Sequence, residues 1–190
     1  MTDLISLYHR SVEGFGSRVA AVGDGQWGDP TPCADWDVRT LVNHLVYEDR
    51  WAVPLFAGLT IEQIGDQFEG DLVGDDPKAA WASASADAMV TVDQPDVLGR
   101  TVHLSFGDTT GDDYLSQLIC DHTVHAWDLA RGTGGDEALD AGLVEFALGY
   151  FGPRVDAWRE GGAFGPAVEV PEDADAQTRL LGITGRKPSP

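Results

Sequence analysis

The chain has 190 residues, 43% of them hydrophobic, and 12 Lys and Arg stand against 32 Asp and Glu for a formal charge of −20. That length and apolar fraction describe a folded chain able to bury roughly 70% of its unfolded surface, which excludes intrinsic disorder, and the acidity excludes nucleic acid or an anionic membrane as the main partner. No window reaches the ~20 apolar residues of a membrane span, Met1-Thr2-Asp3 is unlike a signal peptide, and Cys33 and Cys120 lack a redox or zinc-site spacing. A single cytoplasmic domain over 1–190 is therefore expected.

Leu4, Ile5, Leu7, Tyr8, Val12, Phe15, Val19 and Val22 recur with helical period, so a first amphipathic helix is expected over 2–22. A Gly-, Pro- and Asp-rich loop follows to Asp35. Asp37 is the N-cap candidate for a second helix from Val38 to Gly58, with Trp36 and Leu41 able to staple its start and Pro54 expected to kink it or end it early. His44 shares one face of that helix with Leu41, Tyr47, Glu48, Trp51 and Leu55, and so points inward. Thr60 to Ile64 forms a short helical turn. Asp76-Pro77 opens a third helix that runs to Val92. Arg100 to Phe106 reads as a short strand or extended arm, and Gly107 to Gly111 as a turn. A fourth helix starts near Asp112 and is stopped after Arg131 by Gly132-Thr133-Gly134-Gly135. Leu139 to Val155 forms a fifth, interrupted at Gly152-Pro153. Val168 to Pro171 is extended, Ala174 to Leu181 is a short helix, and the tail from Gly185 is expected to be mobile. The pattern is an all-α bundle of four main helices with short accessories.

Within the fourth helix Asp121 and His125 stand one turn apart, about 40° apart around the axis, with Leu118 and Val124 flanking them. A carboxylate and an imidazole between apolar neighbours must be hydrogen-bonded, ion-paired or metal-bound, because bare burial costs several kcal/mol. They form either a buried polar pair or part of a metal site to which His44 adds a third ligand from a facing helix. Two His and one carboxylate leave coordination positions open, as a catalytic or substrate-binding site requires, and suit zinc, nickel or ferrous iron. His122 points about 100° away from Asp121 and reads as a polar or packing residue. Glu48 and Asp128 are candidates for a general base or for orienting the ligand histidines. Cys33 and Cys120 read as small core residues, Trp127 as a packing residue, and Arg131 as a partner for the helix C-terminus or an acid.

Two blocks carry a resemblance. Thr31-Pro32-Cys33 with Trp36-Asp37-Val38-Arg39, Leu41 and His44-Leu45-Val46 is one, and His125-Ala126-Trp127-Asp128-Leu129-Ala130-Arg131-Gly132-Thr133-Gly134 is the other. Together with Phe164-Gly165-Pro166, Ala174, Leu180-Leu181 and Gly185-Arg186, they resemble an actinobacterial group of the DinB-like, metal-binding four-helix superfamily, near mycothiol-dependent maleylpyruvate isomerase. The resemblance implies a DinB-like bundle in which His44, Asp121 and His125 hold one divalent metal, zinc most often assumed. It also implies mycothiol, or another low-molecular-weight thiol, as co-substrate beside an electrophilic substrate, in an S-transferase or isomerase reaction. Pairing into a homodimer through helix faces is a further implication. The isomerase of that group has Glu where this chain has the shorter Asp121, and an extra C-terminal domain for which this chain has no room, so maleylpyruvate itself is not the expected substrate. The alternative is a non-catalytic metal- or thiol-binding stress or sensor protein.

Overall fold

The computed structural model describes residues 3–188; Thr2, expected to begin the first helix, and Ser189 and Pro190 of the tail lie outside them. In chain order the elements are α1 (Leu4–Ala21), α2 (Val38–Phe56), α3 (Ile61–Ile64), α4 (Pro77–Val92), a 3-10 turn (Val97–Gly99), β1 (Thr101–Leu104), β2 (Gly107–Thr110), α5 (Gly111–Thr133), α6 (Ala141–Phe151), α7 (Val155–Glu160) and α8 (Ala176–Ile183). No helix among the described residues is long and apolar enough to cross a membrane. The four long helices pack in the ring order α1–α5–α2–α4. That order matters, because it sets the helix of His44 beside the helix of Asp121 and His125.

The helix starts follow their caps. Asp37 accepts from Thr40 N at 2.7 Å and Asp76 from Ala79 N at 3.0 Å, each satisfying an otherwise free amide of a first turn. Pro54 lies inside α2, but the helix ends two residues later at Phe56, short of Gly58. Pro54 has no amide to give the Arg50 carbonyl, which fits a helix that ends within one turn of it. α4 buries Ala84, Ser85 and Ala88 along with Trp81, and such small residues let α2 approach closely.

Four departures from the expected elements have physical causes. Gly107 to Thr110 is a strand rather than a turn: it pairs antiparallel with β1, Thr101 opposite Thr110 and Leu104 opposite Gly107. The reversal therefore falls at Ser105-Phe106. α5 begins at Gly111, where an added Cβ would sit 2.1 Å from the Val97 carbonyl oxygen, so only glycine fits under the 3-10 turn. The interrupted fifth helix resolves into α6 and a separate α7, which buries no residue. Val168 to Pro171 forms no strand; Val168 N instead donates to Gly182 O at the end of α8, 2.9 Å away. A small second core joins α5, α6 and α8 through Cys120, Val124, Val144, Ala147, Phe151 and Leu180.

At the centre of the bundle sits a polar knot. The Tyr8 hydroxyl of α1 donates to Asp49 Oδ1 of α2 at 2.9 Å, and His122 Nε2 of α5 lies 3.3 Å from the same oxygen. His122 Nδ1 meets the Leu118 carbonyl at 2.8 Å and must carry a proton there, since a carbonyl only accepts. From α4 the Trp81 ring stands edge-on to His122, 5.6 Å between centroids. All three knot residues are fully buried. Burial opposes charge on His122, but Asp49 outweighs it and raises the imidazole pKa above its usual value. The same burial, followed by Asp49, pushes the Tyr8 hydroxyl well up. Removing one member of such a pair leaves the other unpaired. His122→Ala is expected to cost about 3–5 kcal/mol, and Tyr8→Phe, which deletes one bond to a charged acceptor, about 1.5–3 kcal/mol. Urea denaturation checks both, and losses near zero in both variants would show that the knot does not hold the bundle.

Candidate metal centre

α2 and α5 converge where the polar side chains of one cavity meet. His44 Nε2 lies 3.1 Å from Asp121 Oδ2, and His125 Nε2 lies 3.4 Å from Asp121 Oδ1. Each imidazole thus addresses a different oxygen of one carboxylate. The ligating atoms of the three residues all lie within 4.8 Å of one another. A tetrahedral ion with bonds of about 2.0–2.2 Å holds its donors about 3.4 Å apart, so the spacing and the nitrogen–oxygen donor set both fit a small divalent ion. Trp36, at the entry to α2, packs over both rings, with centroids 4.9 Å from His44 and 5.9 Å from His125. Burial opposes charge on Asp121, but the two imidazoles outweigh it and hold the carboxyl well below its usual range. His125 shows the opposite balance: burial disfavours its charge, and Asp121, Asp128 and Cys33 together raise it well above the usual value.

Behind His125 the contacts continue inward. Its Nδ1 donates to Asp128 Oδ2 at 2.9 Å, which leaves Nε2 for the cavity side. Asp128 is fully buried and receives both arms of Arg186, Nε at 3.2 Å and Nη2 at 2.8 Å. Burial would raise the Asp128 carboxyl, yet the His125 bond and the Arg186 guanidinium bring it to about 2. A carboxylate that orients an imidazole from the far side is the usual support of a metal-ligating histidine. Half-buried Cys33 donates its thiol to Asp128 Oδ2 at 3.3 Å and lies 3.7 Å from His125 Nδ1. Cys33, His125 and Asp128 also lie close enough to hold an ion. An ion there would have to displace the Arg186 guanidinium from Asp128, so the donors facing the cavity are the better fit.

The cavity itself measures about 890 Å³ and is bounded by α2, α5, the hairpin turn and the segment from α6 to Arg186. Glu48 lies on its wall with Oε1 3.9 Å from His44 Nδ1. Burial and the neighbouring Asp121 push the Glu48 carboxyl up to about 7, against the opposing pull of His44.

Residues 8–130 match the family model of the mycothiol maleylpyruvate isomerase N-terminal domain. The chain belongs to that family. Two crystal structures of the mycothiol-dependent maleylpyruvate isomerase share the fold. A histidine-to-alanine mutant superimposes with a TM-score of 0.67 at 14% identity, and another structure of the isomerase with 0.65 at 16% identity. Each comparison covers 89% of this chain and 75% of the other. Two uncharacterized proteins of Mycobacterium tuberculosis, from strains CDC 1551 / Oshkosh and ATCC 25618 / H37Rv, are each 27% identical over 192 residues, covering 97% of this chain and 98% of theirs.

In this member of the isomerase N-terminal domain family, the fold brings together all three residues that sequence reading nominated. His44 and His125 flank Asp121, while His122, on the adjoining face, serves the core knot instead. Arg131 pairs with Glu137 at 2.9 Å and lies over the Trp127 ring. Two contributors are not evident from the sequence. Trp36 is expected only as a helix staple, although it stands in the same block as His44. Arg186 falls in the tail expected to be mobile, yet its side chain is only 10% exposed and is held by Asp128. Its signal was present in the Gly185-Arg186 pair, which lies beyond the residues that the family model matches. Arg186→Met removes one of the two cationic partners of a fully buried carboxylate. It is expected to destabilise the protein by about 3–5 kcal/mol, read as a lowered urea midpoint with unchanged slope. A midpoint equal to that of the parent protein would show that His125 alone satisfies Asp128.

Proposed function

We propose that this protein is a metal-assisted enzyme that uses a low-molecular-weight thiol, mycothiol in the first instance, in an S-transferase or isomerase reaction. The observation that carries this reading is the three-donor cluster of His44, Asp121 and His125 at the edge of a cavity large enough for two reactants. A divalent ion there, zinc by the donor set with nickel and iron sharing it, supplies Lewis acidity and favours the thiolate form of a thiol in an open position. Everything else is done by the chain. The Nε2 atoms of His44 and His125 and the carboxylate of Asp121 present the donors. Asp128 accepts from His125 Nδ1, which leaves Nε2 as the atom that would address an ion. Glu48 Oε1 faces the corresponding nitrogen of His44 and limits the turning of that ring. Trp36 covers both imidazoles and keeps bulk water from their outer faces. The family relationship and the mycothiol dependence named for the structural relatives support the choice of thiol, and a reduced cytoplasmic thiol pool is the matching setting.

Metal content of protein purified without a histidine tag tests the site. The parent chain is expected to hold close to one divalent ion, and His44→Ala to fall below about 0.2 per chain even after reloading. A parent protein equally empty after reloading overturns the metal reading and leaves a hydrogen-bonded polar cluster. Asp128→Asn, which keeps the shape of the side chain and loses its charge, is expected to weaken metal affinity about 10–100-fold; competition with a chromogenic chelator measures it. Mycothiol that binds the loaded protein without product from any electrophile would assign a thiol-binding, non-catalytic role.

A further inference from the structure

The cavity has a wall to which the proposed reaction gives no task. Phe151 closes α6, Trp158 rides on α7, and Phe164 follows α7, and all three line the cavity together with Cys120 and Val124 of α5. The Phe151 and Phe164 rings meet edge to face, 4.9 Å apart at 87°, and Trp158 stands 5.8 Å from Phe151 and 6.1 Å from Phe164. Aromatic side chains arranged this way offer both ring faces and ring edges to a guest, and apolar burial is worth about 25 cal/mol per Å².

Charge on the other surfaces limits what that guest can be. The carboxylates of Glu48, Glu69 and Asp121 line the cavity, and Arg186 is the only Lys or Arg among the described residues that do so. Its guanidinium is already committed to Asp128 through two bonds. Carboxylate groups are normally recognised by an available guanidinium or ammonium group. Other cationic groups are confined to the cluster of His44 and His125 and the ion proposed there, which could meet one carboxylate. The second carboxylate of a substrate such as maleylpyruvate then finds no free cation on the aromatic wall and meets Glu48 and Glu69 elsewhere. Tyr114 adds a buried hydroxyl with no hydrogen-bond partner among the described residues, a donor suited to a neutral acceptor such as a nitro or carbonyl oxygen.

We propose that the wall of Phe151, Trp158 and Phe164 binds the second substrate, and that its class is an uncharged, ring-bearing electrophile rather than a dicarboxylate. The chemical step rests on the thiol-dependent reading, whereas the binding step does not. With an aryl halide the thiolate sulfur gives an electron pair to the ring carbon and a C–S bond forms. The carbon–halogen bond breaks, halide leaves with its pair, and the thiol proton passes to solvent.

The test separates binding from chemistry. Dinitrobenzene, neutral and unreactive here, is titrated into the full-length protein and followed by saturation-transfer NMR. It is expected to bind saturably, to weaken about tenfold in Trp158→Ala, and to recover most of that loss in Trp158→Phe. Trp158 is half-buried at the border of the second core, and thermal melts of both variants check that the fold is kept. Maleate in tenfold excess is expected to leave the ring bound. Affinity unchanged in Trp158→Ala, or displacement of the ring by maleate, overturns the proposal. Chlorodinitrobenzene with mycothiol and zinc-loaded protein then reads the chemistry. Trp158-dependent ring binding with no thioether formed supports the ring site and overturns the thiol-transfer reading. Turnover confined to dicarboxylates would do the reverse.

Discussion

The rotation of α5 about its own axis is the constraint on which the rest depends, and the buried contact between His122 and Asp49 sets it. Asp49 is fixed on α2 by the Tyr8 hydroxyl from α1, and the Trp81 ring of α4 closes against His122. A helix held only by Leu and Ile side chains can turn by tens of degrees at modest cost, because dispersion contacts have little directionality. A buried imidazole facing a buried carboxylate cannot, since a small rotation separates them and strands two polar groups. Asp121 is the neighbour of His122, one residue and about 100° away. Locking His122 toward the core therefore aims Asp121 and His125 at the gap between α5 and α2. The core knot and the candidate metal site are two consequences of one helix orientation.

The second organising contact is Asp128 with Arg186. A fully buried carboxylate demands compensation, and here His125 and Arg186 share the task, meeting at Oδ2 while Arg186 also reaches Oδ1. Gly185 makes that possible: its φ of +80° belongs to the left-handed region that glycine enters without a Cβ clash, and it turns the chain after α8 back toward α5. Arg186 N is then held by Leu181 O at 2.8 Å. The far end of the chain is thereby fastened to the residue that orients His125, so that a change near the C-terminus reaches the site through one ion pair.

Much of this was legible in the sequence, for reasons that differ by element. α1, α2, α4 and α5 announce themselves because a 3.6-residue apolar period, Asp caps and terminal glycines are local signals. His44, Asp121 and His125 were legible because helical spacing puts Asp121 and His125 on one face, and the neighbours of His44 show which way it points. The hairpin was half legible: Gly107-Asp108-Thr109-Thr110 has turn-forming residues, but the partner strand Thr101–Leu104 outweighs local preference by offering backbone bonds. The partner of Arg186 and the aromatic wall were opaque, although the Gly185-Arg186 pair itself stood out. Both depend on contacts between residues far apart in the chain, Arg186 with Asp128 and Phe151 with Phe164, which no local pattern encodes. The knot at Asp49 was opaque for the same reason, although the opposed direction of His122 was already visible.

The arrangement brings a carboxylate as short as Asp121 within reach of both imidazoles. Its two oxygens meet His44 and His125 only if α2 and α5 lie close, and the contact between Asp49 and His122 holds the two helices together. The carboxylate contacts both imidazoles, each through its own oxygen. Small zinc domains fold only on binding metal, because their ligands are otherwise unrestrained. This bundle has an extensive apolar core and a buried polar lock of its own. In the proposed function a metal would therefore act on the chemistry of the cavity without being the source of the fold.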